Sequence, residues 1–418
     1  MSVSRSNYIH DDIVFSILSK LPLKSLKRFG CVRKSWSLLL ENPNFMDMFR
    51  NNFLSKDNSY CHNASFLLQR THENENDFHS LSGERFENMV KLVIPDPFQD
   101  DIYRLNDFRI LNVRHFFNIV NVSSTNDFIC LYCHIRCYNK RDKRVALWNP
   151  TTDEFKVIPK SPVIFKPFAT HVVSHDVINF WVHENVLGFG YDRVIDDYKV
   201  LHQVSFVTPR LFREREGGYV PLGDISLEPE PVWEIYSLRS NSWRKLDIVM
   251  PATCGLIARE AKVSIDGMCH WWFFDHTGSC LVSFDLSNEV FYTTPIPSDI
   301  GNNFDKECVW RHLTVLNGSV ALITYQAQMT IFNISILGVL SVKESWIKLF
   351  IVGPLPCVER PFGVVTGKIF FAREDKELAW FDLSTQMIEE LGVKADRGGV
   401  SCNIVIYRKN FLPIDRIE

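Results

Sequence analysis

One landmark recurs through most of this chain: an aromatic residue, a small or acidic turn and often a second aromatic. It appears as Trp148-Asn-Pro-Thr-Thr-Asp-Glu-Phe155, as Tyr191-Asp192 with Tyr198, and as Tyr236-Ser-Leu-Arg-Ser-Asn-Ser-Trp243. It returns as Phe284-Asp-Leu-Ser-Asn-Glu-Val-Phe291, Phe332-Asn333 and Phe381-Asp-Leu-Ser. Successive landmarks lie 43, 45, 48, 48 and 49 residues apart. The first aromatic reads as the end of an inner strand. Asp, Asn and Ser then close a hairpin through side-chain bonds to backbone N–H groups, and the second aromatic opens the return strand.

Apolar runs flank the landmarks: Met268–Phe274 before Cys280–Phe284, Val320–Tyr325 before Met329–Phe332, and Lys368–Ala372 before Leu378–Phe381. Three or four short strands per period of this size predict the blades of a β-propeller. A β-sandwich with evenly spaced strands is the competing architecture. Residues 60–145 are less regular, but Phe66–Leu68 and Phe128–Tyr132 read as strands and leave room for a further blade.

The first fifty residues follow another period. Ile13, Val14, Ile17, Leu18 and Leu21 form one broad apolar helix face behind Asp11 and Asp12, whose charge suits a first helical turn. Pro22 stops that helix and suits the start of a second, lined by Leu23, Leu26 and Phe29 and covered by Lys24, Lys27 and Arg28. Cys31, Val32, Trp36, Leu39 and Leu40 predict a third short helix ending near Pro43, and Phe45, Met48, Phe49 and Phe53 again keep helical spacing. A unit this small buries too little apolar surface to be stable alone. It is either a cap on the larger domain or a docking module for a partner.

Composition narrows the classes. The net charge is −3, so no strong field favours nucleic acid or an anionic membrane, and neither is expected as a partner. No apolar run reaches membrane-spanning length, and the polar start of the chain lacks the core of a signal peptide. The 11 cysteines, an odd number without a framework spacing, suit reduced thiols in the cytoplasm or nucleus.

Candidate chemistry is sparse. Cys130, Cys133, His134 and Cys137 cluster, and the first two have zinc-like spacing, but the segment alternates as a strand and would send those two sulfurs to opposite faces. His171, His175 and His183 lack a carboxylate at ligand spacing. Gly188-Phe-Gly190 has Arg193 where a dinucleotide fingerprint needs its third glycine, so a tight strand turn is expected there. Asp192 and Asp285 could serve a propeller glycosidase only if paired across the central channel, yet both sit at predicted turns. Residues 209–232, rich in mixed charge, Gly and Pro, read as a connector or as a loop that touches a bound protein. No catalytic residue, metal ligand or cofactor is expected, and the residues that bind a substrate cannot be chosen.

Leu-Pro-Leu-Lys-Ser-Leu-Lys-Arg-Phe-Gly-Cys-Val-Arg-Lys-Ser-Trp at 21–36 resembles the F-box of plant F-box proteins, with the likeness running from residue 9 to about residue 50. Leu-Gly-Phe-Gly-Tyr-Asp at 187–192, Asp-Asp-Tyr-Lys-Val at 196–200 and Ile-Tyr-Ser-Leu-Arg-Ser-Asn-Ser-Trp at 235–243 resemble the F-box-associated interaction domain. So do Leu-Val-Ser-Phe-Asp-Leu at 281–286 and Ser-Val-Lys-Glu-Ser-Trp at 341–346. That family includes kelch-like members and pollen S-locus F-box proteins. The resemblance implies an α + β multidomain chain: a small all-α F-box at 1–55 and an all-β propeller-like substrate-binding domain at 56–418. It implies a non-catalytic substrate receptor of an SCF-type cullin–RING ubiquitin ligase. The Skp-type adaptor, and through it the cullin and RING subunits, would bind at Ile13, Ile17, Leu21, Pro22, Leu23, Leu26, Phe29, Val32 and Trp36. One departure stands out: Ile9-His10 precedes the acidic pair where the family has Leu-Pro. A propeller binding module outside any ligase, or a propeller glycosidase, are the alternatives.

Overall fold

The computed structural model describes residues 10–57, 64–71, 76–83, 86, 88–94, 97, 114–122, 128–137, 140–163, 172–173, 176–177, 181–207, 212–215, 218–221, 230–248, 257–275, 278–297, 300, 309–394, 401–411 and 414. Among them, six four-stranded antiparallel sheets succeed one another as blades. Blade 1 joins the two ends of the propeller: β1 (Ala64–Thr71), β2 (Asn76–Ser82) and β3 (Asn88–Leu92) take β28 (Ser401–Arg408) as their first strand. Blade 2 is β4 (Arg114–Val122), β5 (Ile129–Cys137), β6 (Lys140–Asn149) and β7 (Glu154–Ile158). Two short strands follow, β8 (Val172–Val173) and β9 (Asp176–Val177).

Blade 3 combines β10 (Trp181–Asp192) and β11 (Asp197–Val207) with β14 (Val232–Ser237) and β15 (Ser242–Leu246). The insert between its halves holds a separate hairpin, β12 (Phe212–Arg215) with β13 (Gly218–Pro221), where the sequence predicted only a loop. Blade 4 is β16 (Ile257–Ile265), β17 (Met268–Asp275), β18 (Gly278–Asp285) and β19 (Val290–Pro295). Blade 5 is β20 (Val309–Leu316), β21 (Ser319–Gln326), β22 (Ile331–Leu337) and β23 (Trp346–Val352). Blade 6 is β24 (Val358–Val365), β25 (Lys368–Arg373), β26 (Glu377–Asp382) and β27 (Ile388–Lys394).

The first strands β28, β4, β10, β16, β20 and β24 touch in cyclic order and so surround the axis. Strand alternation then buries both faces of every blade. In β1, Leu67 joins the core against blade 2, while Phe66 and Leu68 join the core against blade 6. Six such cores, one at each junction, hold the ring, because a single sheet has no other way to cover two apolar faces.

Turn chemistry follows the sequence closely. Asp285 Oδ1 accepts the N–H groups of Ser287 (2.9 Å) and Asn288 (3.0 Å), and Asp382 Oδ1 accepts that of Ser384 (2.7 Å). Asn149 Oδ1 accepts the N–H of Thr151 (3.0 Å). Asp266-Gly267, Asn317-Gly318 and Thr366-Gly367 turn the first hairpins of blades 4, 5 and 6 with positive φ at both residues, the twist that suits a two-residue hairpin.

The landmarks themselves are not all equivalent. Trp148, Tyr236, Phe284 and Phe381 lie near the end of the third strand and pair with the fourth, as Trp148↔Phe155, Tyr236↔Trp243, Phe284↔Phe291 and Phe381↔Ile388. They are therefore far from the axis rather than on an inner strand. Tyr191 ends a first strand and pairs with Tyr198, and Phe332 lies near the start of β22. The even spacing through those two landmarks arose because any hairpin of the propeller can carry an aromatic–Asx turn. Met329, expected in a strand, lies in the turn before β22.

Gly188 and Gly190 lie within continuous β10, not in a turn. A Cβ at Gly188 would stand 2.3 Å from Cys269 Sγ, and one at Gly190 would stand 2.8 Å from Leu286 Cδ1. The glycines let blade 4 approach blade 3. Gly188→Ala is expected to cost about 1–3 kcal/mol through overpacking, read as a lower urea midpoint at unchanged m-value. An unchanged midpoint would contradict that close approach.

Candidate functional site

The N-terminal unit consists of α1 (Asp11–Leu18), α2 (Leu23–Gly30), α3 (Lys34–Ser37) and α4 (Pro43–Asp57). His10 stands at the N-cap of α1 in extended conformation, and no side chain caps that end. Ile9 lies outside the described residues. Pro22 takes the N-cap of α2, and residues 19–22 make the turn that separates it from α1.

One side of this unit is committed. Val14, Leu18, Leu23, Leu26, Phe45, Phe49 and Phe53 share a single core with Leu316, Ile323 and Phe332 of blade 5 and Phe371 of blade 6. The rings of Phe15, Phe45, Phe49 and Phe53 form a chain of contacts 5.7–6.3 Å apart. A Cβ on Gly338 would lie 3.2 Å from Leu23 Cγ, so glycine there sets how near α2 comes to blade 5. Polar bonds fix the rest: Lys27 Nζ donates to the Glu344 carbonyl (3.0 Å), Arg50 Nε to the Leu349 carbonyl (2.6 Å), and Asn317 Nδ2 to the Phe53 carbonyl (3.4 Å).

The other side is exposed and apolar. Ile13 and Ile17, one turn apart on α1, are 54% and 56% exposed; Phe29 is 39% and Val32 72% exposed. Pro22 is exposed too. Leu21 and Trp36 are half-buried, with Trp36 edge-on to Phe29 at 6.0 Å. The nine residues proposed from sequence thus divide. Leu23 and Leu26, at 2% and 5% exposure, lie beneath the surface rather than on it, because the most apolar stripe of α2 finds its partner in blade 5. Helical periodicity shows which side chains share a face but not which face meets the propeller. Leu38 and Met48 are exposed in the same unit as well, although Met48 shares helical spacing with the buried Phe45, Phe49 and Phe53.

The other candidates find structural places. Cys130 and Cys133 are fully buried in different inter-blade cores, Cys130 toward blade 3 and Cys133 toward blade 1. Burial pushes the Cys130 thiol well above its usual range. Cys137 is in β5 opposite Lys140. His171 and His175 lie outside the described residues, and His183 is in β10 opposite Ser205. Asp285 caps its own turn. Asp192 receives Lys199 Nζ (2.7 Å), Ser287 Oγ (2.5 Å) and the Val194 N–H (2.9 Å). Burial works against the Asp192 carboxylate, but those three donors and the lysine charge outweigh it and hold its pKa below the ordinary value. Sequence reading also missed two buried polar groups. His270 Nδ1 lies 2.7 Å from Ser283 Oγ, and burial pushes that histidine down to about 4, so it stays neutral. His202 lies 3.4 Å from Glu234 and 4.0 Å from Glu184.

Six blades with a helical unit docked on one of them define a β-propeller protein with an N-terminal α-helical attachment. Residues 77–406 match the F-box associated beta propeller domain, and the chain belongs to the plant F-box proteins that carry it. The chain is similar to a putative F-box protein of Arabidopsis thaliana, at 25% identity over 51% of this chain and 46% of that one. It is also similar to F-box protein CPR1 of the same plant, at 26% identity over 63% of this chain and 62% of that one. It thus spans roughly half to two thirds of the length of these relatives. Among solved structures, TolB from Acinetobacter baumannii aligns at 10% identity over 85% of this chain and 72% of that one. The TM-score is 0.38, at which neither fold nor function carries over.

Proposed function

We propose that this protein is the substrate-recognition subunit of an SCF-type cullin–RING ubiquitin ligase. Residues 1–55 act as the F-box, residues 56–418 hold the target, and the chain performs no bond chemistry itself. The observation that carries the reading is the exposed apolar set Ile13, Ile17, Phe29 and Val32 on a unit whose opposite side is already fixed to blade 5. Apolar side chains left in water on so small a unit fit a partner surface, and the Skp-type adaptor is that partner. Leu21, Pro22 and Trp36 frame the set, while Leu23 and Leu26 support it from below. Cullin and RING subunits follow through the adaptor, in the cytoplasm, the nucleus or both. Among the described residues no helix is long and apolar enough to cross a membrane.

The target is assigned to the end of the propeller away from the helices. The helical unit meets the Asn317 turn and the 338–345 connection, both at the end where first strands turn into second and third into fourth. Second strands turn into third at the opposite end, the step from β11 to β14 among them. A target held there reaches the transfer centre by proximity, through a raised effective concentration.

The test is co-purification with the adaptor. Ile13→Asp combined with Ile17→Asp is expected to reduce adaptor binding at least about 100-fold, since hot-spot residues contribute about 2 kcal/mol or more each. Circular dichroism and the unfolding midpoint should stay unchanged, because both side chains are exposed. Undiminished binding in this variant, and in one lacking residues 1–50, rejects the assignment.

A further inference from the structure

The exposed side of the helical unit is basic as well as apolar. Residues 19–40 hold six Lys and Arg and no Asp or Glu, although the whole chain carries a net charge of −3. Lys27 is turned to the propeller, where it donates to the Glu344 carbonyl. Lys24 and Arg28 of α2, Arg33 at the N-cap of α3 and Lys34 at its first position are all exposed. Among the described residues no ion pair or hydrogen bond engages any of these four side chains. We infer that the four cations steer an acidic partner onto the exposed apolar set, so that the adaptor surface docked there is an apolar patch rimmed by Asp and Glu. The inference rests on the ligase reading and adds the chemistry of the partner's surface.

Local stability does not account for the cations. Lys24 and Arg28 stand one turn apart on one helix face, where like charges repel. Neither α2 nor α3 has an acid in its first turn, and Lys24, Arg33 and Lys34 place cations at the positive ends of those helices instead. An arrangement that works against its own helices is expected where a partner supplies the missing charge.

The apolar residues decide the class of partner. Arg28 and Arg33 adjoin Phe29 and Val32 in the chain, so charge borders the exposed apolar set directly. An apolar centre with a charged rim is the anatomy of a protein–protein interface. A phosphate backbone would meet the cations but leave Ile13, Ile17 and Val32 in water. An anionic membrane takes the apolar face of one continuous amphipathic helix. Here the exposed apolar residues come from α1, α2 and the turn beyond it. Surface charges attract before contact and set the association rate, whereas apolar contact sets the lifetime of the complex.

Stopped-flow fluorescence measures association of the full-length protein with a purified Skp-type adaptor, and biolayer interferometry follows dissociation. The association rate constant is expected to fall at least about tenfold between about 0.02 M and about 0.5 M sodium chloride. Lys24→Glu, Arg28→Glu, Arg33→Glu and Lys34→Glu together should lower it at least about tenfold at the lower salt, and change the dissociation rate constant less than about threefold. Lys24→Gln with Arg28→Gln serves where four acids disturb folding, with a smaller loss of the same sign. Ile13→Ala with Ile17→Ala should act on dissociation instead. An association rate indifferent to salt and to these charges, in a complex that the two alanines still weaken, overturns the steering and leaves the ligase reading standing. No adaptor binding by the wild-type chain overturns both. Binding to phosphatidylserine vesicles that the charge reversal abolishes, beside unaltered adaptor association, assigns the cations to lipid and overturns the inference.

Discussion

Removing residues 395–418 abolishes cooperative folding of the whole propeller. The deleted segment contains β28, which pairs with β1 along its full length, from Ala64↔Arg408 to Thr71↔Ser401. It is also the strand of blade 1 nearest the axis, in contact with β24 on one side and β4 on the other. Ile404 and Tyr407 bury almost completely in the cores toward blades 6 and 2. Beyond the strand, the Asn410 N–H donates to Thr151 Oγ1 (3.1 Å) and the Ile414 N–H to Glu154 Oε2 (3.1 Å), tying the chain end to blade 2. Without this segment the ring has a gap, β1 has a bare edge and two inter-blade cores open to water. The loss exceeds the whole stability of an ordinary domain, about 5–15 kcal/mol. The expected observation is the absence of a sigmoidal urea transition and of near-ultraviolet circular dichroism. A soluble truncated monomer with a native-like transition would show that closure is dispensable. Ile404→Asp should reproduce much of the defect in a chain of full length, since its Cγ2 abuts the position where Gly363 lacks a side chain.

Lys199→Met is the most damaging single substitution expected away from closure. Lys199 Nζ is buried between Asp192 Oδ2 (2.7 Å) and the Leu286 carbonyl (2.7 Å), with Glu289 at 3.8 Å. It thereby joins blade 3 to blade 4. Methionine fills the same space but leaves Asp192 buried, at 1% exposure, without its cation. Breaking such a pair by removing one partner costs about 3–5 kcal/mol. The double variant Asp192→Asn with Lys199→Met should recover most of that loss, because no uncompensated charge remains. The pH dependence has a definite sign. The Asp192 pKa lies below its ordinary value of 3.8 in the folded protein, so its contribution is complete above that value. It is lost as pH falls through the lower folded pKa, and Asp192→Asn should flatten this acid limb while leaving stability at neutral pH independent of pH. Additive losses in the two single variants would refute the coupling.

Much of the blade structure was legible because it is local. An Asp or Asn two residues before a backbone N–H closes a turn wherever it occurs, and Asn-Gly or Asp-Gly makes a tight hairpin without help from distant residues. The same locality misled the repeat. Tyr191 and Phe332 carry the aromatic–Asx signature but belong to other hairpins than Trp148, Tyr236, Phe284 and Phe381. The helical unit was half legible. Helical spacing grouped the apolar residues of each helix, but it did not show that blade 5 covers Leu23 and Leu26 while Ile13, Ile17, Phe29 and Val32 stay exposed.

By itself the sequence determined the hairpins, the strand-rich repeat and an amphipathic helical unit with too little core of its own. These depend on backbone hydrogen bonding and side-chain periodicity within a few residues. Only the tertiary structure decided that blade 1 borrows its first strand from the far end of the chain. It alone decided that Gly188 makes room for Cys269 and which face of the helices stays exposed. Each of those outcomes depends on which apolar surfaces meet once the ring closes, and such meetings join residues that no local pattern connects.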